Sequence, residues 1–275
     1  MTFIETLKVI FLGIIEGITE WLPISSTGHM LLVDEFFKLK ATDEFKELFF
    51  VVIQLGAILA VILLFWKKMW PFGITNNKLE IKKDIFSIWF KVVAACIPGA
   101  VITLLFDDYV EEHFHTPLII ALALIAYGVG FILVETLNKK RITSSCSIYT
   151  ISYKSALLIG LFQVLSIIPG TSRSGATIIG ALIIGLSREV AAEFTFFLAV
   201  PVMFGWSFLK LLKFGLAFSL TEILILILGM IVAFLVSVVV IKFLMGYIKK
   251  HDFKVFGWYR IILGAIVLLY FGLFK

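Results

Sequence analysis

Charge and cysteine are both scarce in this chain. Only 16% of its 275 residues are Asp, Glu, Lys or Arg, against about 25% in a soluble domain. There are 2 cysteines, Cys96 in an apolar run and Cys146 in a polar stretch, so neither a disulfide framework nor a zinc site is expected. Glu5, Lys8, Glu16 and Glu20 interrupt the N-terminal apolar run, and no Ala-x-Ala-like site follows; a cleaved signal peptide is not expected. Apolar side chains take the place of the missing charge. Hydrophobic residues make up 61% of the chain, with 28 Phe and 6 Trp, and mean hydropathy is +1.07. A water-soluble core of this size cannot bury them all, and disorder is excluded by the same numbers. The expected class is an all-α polytopic membrane protein, with residues 1–275 forming a single integral domain. The net charge of +5 then bears on membrane orientation, and no nucleic-acid partner is expected.

Apolar runs at 49–66, 85–106, 117–137, 194–209, 216–241 and 255–274 approach the roughly 20 residues a helix needs to cross the hydrocarbon. Six transmembrane helices are predicted there. Two other apolar stretches, 3–33 and 155–187, are broken in the middle by Pro, Gly, Ser and ionisable residues. Irregular backbone at membrane depth survives only when buried in protein or lining a wet cavity, so both are predicted to be re-entrant helical hairpins. Basic residues gather in three connections: Lys67, Lys68, Lys78, Lys82 and Lys83; Lys139, Lys140, Arg141 and Lys154; Lys242, Lys249, Lys250 and Lys254. The 107–116 stretch instead carries Asp107, Asp108, Glu111 and Glu112 and reads as an acidic outer loop. Placing the basic connections in the cytoplasm gives a hairpin and three spans, then the same set upside down. Lys38, Lys40, Lys46, Lys210 and Lys213 fall on the outer side, against the charge rule.

The expected architecture is therefore an inverted-topology repeat, approximately 1–140 and 150–275, which places sites near the midplane where broken elements meet. The halves match at the breaks. Gly13-Ile-Ile-Glu16 precedes Pro23-Ile-Ser-Ser-Thr-Gly28, and Gly160-Leu-Phe-Gln163 precedes Pro169-Gly-Thr-Ser-Arg-Ser-Gly175, offset by about 147 residues.

These breaks hold the candidate chemistry. Glu16 and Glu20 are i and i+4, so on a helix they share a face about 6 Å apart. In a low-dielectric setting a proton or a cation must sit between them; hard cations such as Mg²⁺ or Ca²⁺ take oxygen ligands and bridge carboxylates to phosphate. A pair of glutamates snorkelling to the interface is the plainer alternative, weakened by the hydroxyl cluster that follows at Ser25, Ser26 and Thr27. In the second break, Gly170, Thr171, Ser172, Ser174 and Thr177 surround Arg173. Hydroxyls and free N–H groups at a helix N-terminus favour anions, and a guanidinium fork suits phosphate oxygens. A packing turn with Arg173 paired to a glutamate is the alternative, and does not exclude phosphate binding. Together the clusters suit acid–base or metal-assisted chemistry on a phosphate inside a membrane.

The run Glu16-Gly-Ile-Thr-Glu20-Trp-Leu-Pro-Ile-Ser-Ser-Thr-Gly-His29, the run Gln54-Leu-Gly-Ala-Ile-Leu-Ala60, Pro169 to Thr177, and Phe194-Thr-Phe-Phe-Leu-Ala-Val-Pro201 closely resemble the undecaprenyl-diphosphate phosphatase family, also called the bacitracin-resistance protein family. The resemblance spans essentially the whole chain in order. Trp21, Met30 and Thr195 depart from the family pattern, and none is expected to touch a polar site position. The resemblance implies a multi-pass enzyme of the bacterial plasma membrane. It would hydrolyse the C55 lipid diphosphate to the monophosphate and inorganic phosphate, recycling the carrier for peptidoglycan and other envelope polymers. Bacitracin sequesters that diphosphate, so resistance follows.

Carried over residue by residue, the resemblance implies that Glu16 and Glu20 hold a divalent cation, Mg²⁺ or Ca²⁺. Glu20, Ser26, His29 and Arg173 would be catalytic, with Ser26 as nucleophile and His29 orienting or deprotonating it, or with water attacking directly. Ser25, Thr27, Gly170, Thr171, Ser172, Ser174, Thr177 and Gln54 would bind substrate. His113, His115 and His251 read as solvated surface residues, and Lys91 and Arg260 as snorkelling cations. The glycine pairs Gly13–Gly17 and Gly180–Gly185 read as close helix contacts. A lipid-phosphate transporter or flippase is the rival function, alone or as a second activity; a homodimer is compatible with either.

Overall fold

The computed structural model describes residues 2–37, 39–75, 78–138, 147–215 and 218–274. Cys146 and the basic residues Lys38, Lys139, Lys140 and Arg141 lie outside them. The structure is 83% helical. In chain order the helices are α1 (Phe3–Thr19), α2 (Ser26–Phe36), α3 (Asp43–Met69), α4 (Lys83–Phe114) and α5 (Pro117–Leu137), then α6 (Tyr153–Val164), α7 (Arg173–Ile184), α8 (Arg188–Phe214), α9 (Leu220–Tyr247) and α10 (Lys254–Phe274). Helices α3, α4, α5, α8, α9 and α10 are each long and apolar enough to cross a membrane, matching the six predicted spans. Large apolar side chains stand on their outer surfaces, among them Leu104, Val239 and Leu269, where lipid rather than water suits them.

Several helices outrun their apolar runs because their ends are polar and capped. Thr42 accepts the Phe45 N–H at the start of α3, Asp43 and Glu44 follow in the first turn, and Lys67 and Lys68 lie in the last, each sign matching the helix dipole. In contrast α9 begins later than predicted, at Leu220, where Ser219 and Glu222 form a reciprocal capping box. Two expectations are corrected. The acidic 107–116 stretch is largely the last turns of α4 rather than a loop. The first basic connection contains an antiparallel hairpin of β1 (Phe72–Thr75) and β2 (Lys78–Ile81), with Phe72 opposite Ile81.

Each broken stretch folds as two short helices, α1–α2 and α6–α7, none reaching the length of a full span. Helix α1 packs on α9, and α6 packs on α4; α3 packs on α9, and α8 on α4. Exchanging each helix for its counterpart in the other half converts one member of each pair into the other. The α3–α8 and α5–α10 contacts map onto themselves. Small residues permit these approaches, as predicted for Gly13 and Gly17. A Cβ on Gly13 would come 3.0 Å from the Gly229 carbonyl oxygen, and one on Gly17 2.7 Å from Val236 Cβ. Gly180 lies against the Phe162 ring, whereas Gly185 is the left-handed cap of α7. Lys91 does not snorkel. It is buried, donating to the Tyr149 carbonyl at 3.1 Å.

Candidate active site

Both breaks end in the same local device. Helix α1 stops at Thr19, Pro23 follows, and Ser25 caps α2, its side chain accepting the Gly28 N–H. Helix α6 runs into a short 3-10 turn, Pro169 and Gly170 follow, and Ser172 caps α7, accepting the Gly175 N–H. Ser25 (φ 72°) and Ser172 (φ 70°) are the two non-glycine residues with positive φ among the described residues. Such backbone costs about 1–3 kcal/mol per residue and persists only where surrounding contacts over-determine it.

One of those contacts is Arg260, which is fully buried. Its Nη2 donates to the carbonyls of Gly170 and Thr171, both at 2.8 Å, and its Nη1 to the Pro23 carbonyl at 3.3 Å. One guanidinium on α10 thus ties both turns together. The snorkelling expectation for Arg260 is therefore wrong, because hydropathy gave its depth along the helix but not which neighbours faced it. On the other side, the Trp21 ring meets Phe196 of α8 edge-on at 5.3 Å.

The turns place residues of the two predicted clusters in direct contact. Arg173 Nη2 donates to Glu20 Oε1 at 2.9 Å, and its Nη1 to the Thr195 carbonyl at 3.2 Å. Ser26 Oγ donates to Glu20 Oε2 at 3.3 Å, and Ser174 Oγ to the Glu20 carbonyl at 3.2 Å. Arg173 and Glu20 are both largely shielded from solvent, so their attraction is weakly screened. The Glu16 carboxyl lies within hydrogen-bonding reach of Glu20. It is buried, and its Oε1 has no hydrogen-bond partner. Its counterpart Gln163 is also buried with an unpartnered Oε1.

A cavity of about 300 Å³ opens beside this centre. Glu16, Ser26, Thr27 and Gln54 line it, as do Met30, Trp206, Lys210 and His115. The predicted residues therefore sort by position. Four face the cavity, and Glu20, Arg173 and Ser174 form the bonded layer. Gly170, Thr171, Ser25 and Ser172 shape the turns. Thr177 bonds Thr195 Oγ1 at 2.9 Å.

His29 stands apart. Its Nδ1 meets the Ser25 carbonyl and its Nε2 meets Tyr259 Oη, both at 2.7 Å, and its ring stacks on Tyr259. In this geometry the partner of Ser26 is Glu20. Two readings are corrected: Thr195 and Met30 do touch the site. His115 is exposed, as expected, and also borders the cavity. Arg260 and Tyr259 were overlooked as site neighbours. Their only signal was a charge and a hydroxyl inside an apolar span.

A helical bundle in which carboxylates and hydroxyls line an open cavity beside a shielded Arg173–Glu20 pair is the arrangement of a membrane protein suited to chemistry on an anion. The chain matches the model of the family described as bacitracin resistance protein BacA over residues 9–266, and it belongs to that family. It is 68% identical over 270 residues to an undecaprenyl-diphosphatase of Enterococcus faecalis, covering 98% of each chain. It is 61% and 62% identical to undecaprenyl-diphosphatases of Acetivibrio thermocellus and Lachnoclostridium phytofermentans, again over 98% of each chain.

Proposed function

We propose that this protein hydrolyses undecaprenyl diphosphate to undecaprenyl phosphate and inorganic phosphate, returning the lipid carrier to cell-envelope synthesis and conferring bacitracin resistance. The observation that carries the reading is the Arg173–Glu20–Ser26 contact, bridging two distant segments beside a cavity, in a chain so similar to named undecaprenyl-diphosphatases. The diphosphate enters the cavity while the prenyl tail stays among the helices. Arg173 exchanges Glu20 for phosphate oxygens and stabilises the charge that builds on the transferred phosphoryl group. Glu20 accepts the proton of the attacking hydroxyl. With water as nucleophile, its oxygen bonds to the terminal phosphorus, the bond to the bridging oxygen breaks, and the lipid monophosphate leaves. With Ser26, a phosphoserine forms first and water then hydrolyses it.

A divalent cation fits this donor set. Glu16 offers a hard oxygen without a partner, next to Glu20, on the cavity wall. No group of three or more His, Cys, Asp and Glu side chains suited to a metal occurs among the described residues, so water and substrate oxygens would complete the shell, as Mg²⁺ prefers. Bound there, Mg²⁺ or Ca²⁺ would neutralise phosphate charge.

The same reading places the chain in the bacterial inner membrane as an inverted repeat, with α1–α2 and α6–α7 as re-entrant hairpins. Its support is the offset between the breaks and the exchange of packing partners between halves. With the basic connections in the cytoplasm, the cavity lies at the outer side, where α3 begins and α4 and α8 end. A homodimer is compatible with this reading. The test is phosphate release from C55 diphosphate by purified protein in detergent. Arg173→Ala and Glu20→Ala should abolish turnover while eluting as folded protein. Near-normal rates in either would overturn the assignment.

A further inference from the structure

Lys210 is one of the five lysines that stand against the charge rule, at the end of the bundle assigned to the outside. Its surroundings supply a reason. The side chain is 19% exposed and lies on the cavity wall that Glu16 and Ser26 also line. Its Nζ sits 5.7 Å from the centre of the Trp206 ring and 3.5 Å from Glu47 Oε2. Both of those residues line the same cavity. No other lysine or arginine does so among the described residues.

A diphosphate entering this cavity to reach Ser26 meets the carboxylates of Glu47 and Glu16 on its walls, and Lys210 is the cation among them. Its pairing with Glu47 is built to exchange. Glu47 is 58% exposed, where water and salt weaken an ion pair. The contrast is Arg188–Glu135, a bidentate pair at 2.8 and 2.6 Å on a fully buried carboxylate that also accepts the Phe253 N–H. That pair holds helices together. Lys210 is a point charge with three donors on a flexible stem, suited to following a moving phosphate rather than clamping it.

We propose that Lys210, seated on Trp206 and held by Glu47, is a phosphate-binding subsite at the cavity mouth, taking a phosphate group in exchange for the Glu47 carboxylate. The proposal rests on the reading of this cavity as the diphosphate site. The phosphate is that of the arriving lipid or the inorganic product on its way out; their shared chemistry defines the subsite.

Lys210→Gln, Lys210→Arg and Glu47→Gln, purified in detergent, test it. With lipid diphosphate as substrate, Lys210→Gln should raise KM about tenfold, the effect falling on KM rather than kcat. Lys210→Arg should recover most of it, and Glu47→Gln should lower KM by freeing the lysine. If KM holds but inhibition by inorganic phosphate weakens in Lys210→Gln and strengthens in Glu47→Gln, the subsite serves the leaving product. Added salt should shrink both differences. A Lys210–Glu47 pair that only joined α3 to α8 would lower thermal stability in both glutamine variants while leaving KM and phosphate inhibition unchanged; that result overturns the proposal. Should wild-type protein fail to hydrolyse the lipid, the functional reading falls separately. Calorimetric titration with inorganic pyrophosphate then decides the subsite, weaker binding in Lys210→Gln supporting it and equal binding overturning it.

Discussion

Replacing Arg260 separates the part of the structure that holds the site from the part that reacts. Its guanidinium makes two bonds of 2.8 Å to the second turn and one of 3.3 Å to the first. A fourth contact, to the Leu124 carbonyl at 3.5 Å, adds little. Charge-assisted bonds contribute about 1.5–3 kcal/mol each, so the two short ones together contribute about 3–6 kcal/mol toward keeping the turns in place. Arg260→Met matches the length without the donors, stripping the turn carbonyls of this partner. It also removes a buried charge whose desolvation costs several kcal/mol. The terms oppose each other, and the protein should remain folded with a net loss of about 2–3 kcal/mol.

The turns carrying Ser26 and Arg173 should nevertheless drift, and a displacement of about 1 Å costs on the order of 10²-fold in rate. Arg260→Lys should fare little better, because one ammonium cannot bond both turns as a fork does. The assay is kcat from phosphate release, with size-exclusion and thermal melting to establish folding. A folded Arg260→Lys protein with kcat within about twofold of wild type would refute the clamp, showing that the turns hold themselves.

Ser26→Ala should lower kcat by more than about 10³-fold if the serine attacks. A rate above a tenth of wild type would make water the nucleophile. His29→Ala should lose much less than Glu20→Ala, since its ring nitrogens are engaged by Ser25 and Tyr259; equal losses in the two variants would return His29 to the reaction. Gly170 has φ of +89°, and a Cβ there would lie 2.5 Å from the Ile120 carbonyl oxygen. Gly170→Ala should therefore cost about 3 kcal/mol or more, read as a fall in melting temperature. An unchanged melt would contradict the turn geometry. Chelation should reduce turnover, Mg²⁺ or Ca²⁺ should restore it, and Glu16→Gln should require more of the ion. Full activity in excess chelator would remove the metal from the mechanism.

Local pattern was enough to locate the six spans and the two breaks, because helix length and hydropathy are properties of contiguous residues. It was also enough to single out Glu16, Glu20, Ser26 and Arg173, since ionisable and hydroxyl groups stranded in apolar stretches are costly unless they are used. Helix ends were less legible where polar residues carried α3 and α4 past their apolar runs, with a Thr42 cap on α3.

Which of those residues meet was decided only by the fold. Glu20 and Arg173 are 153 positions apart, and no local pattern encodes the packing that brings them to 2.9 Å. His29, one helical turn away, was the expected partner for Ser26, but in the fold its ring nitrogens meet the Ser25 carbonyl and the Tyr259 hydroxyl. Arg260 read as a snorkelling cation, and Lys210 as an outer-side exception to the charge rule. Depth along a helix is set by its own sequence, but the groups facing each side chain are set by its neighbours, and those made one cation a clamp and placed the other at the cavity mouth.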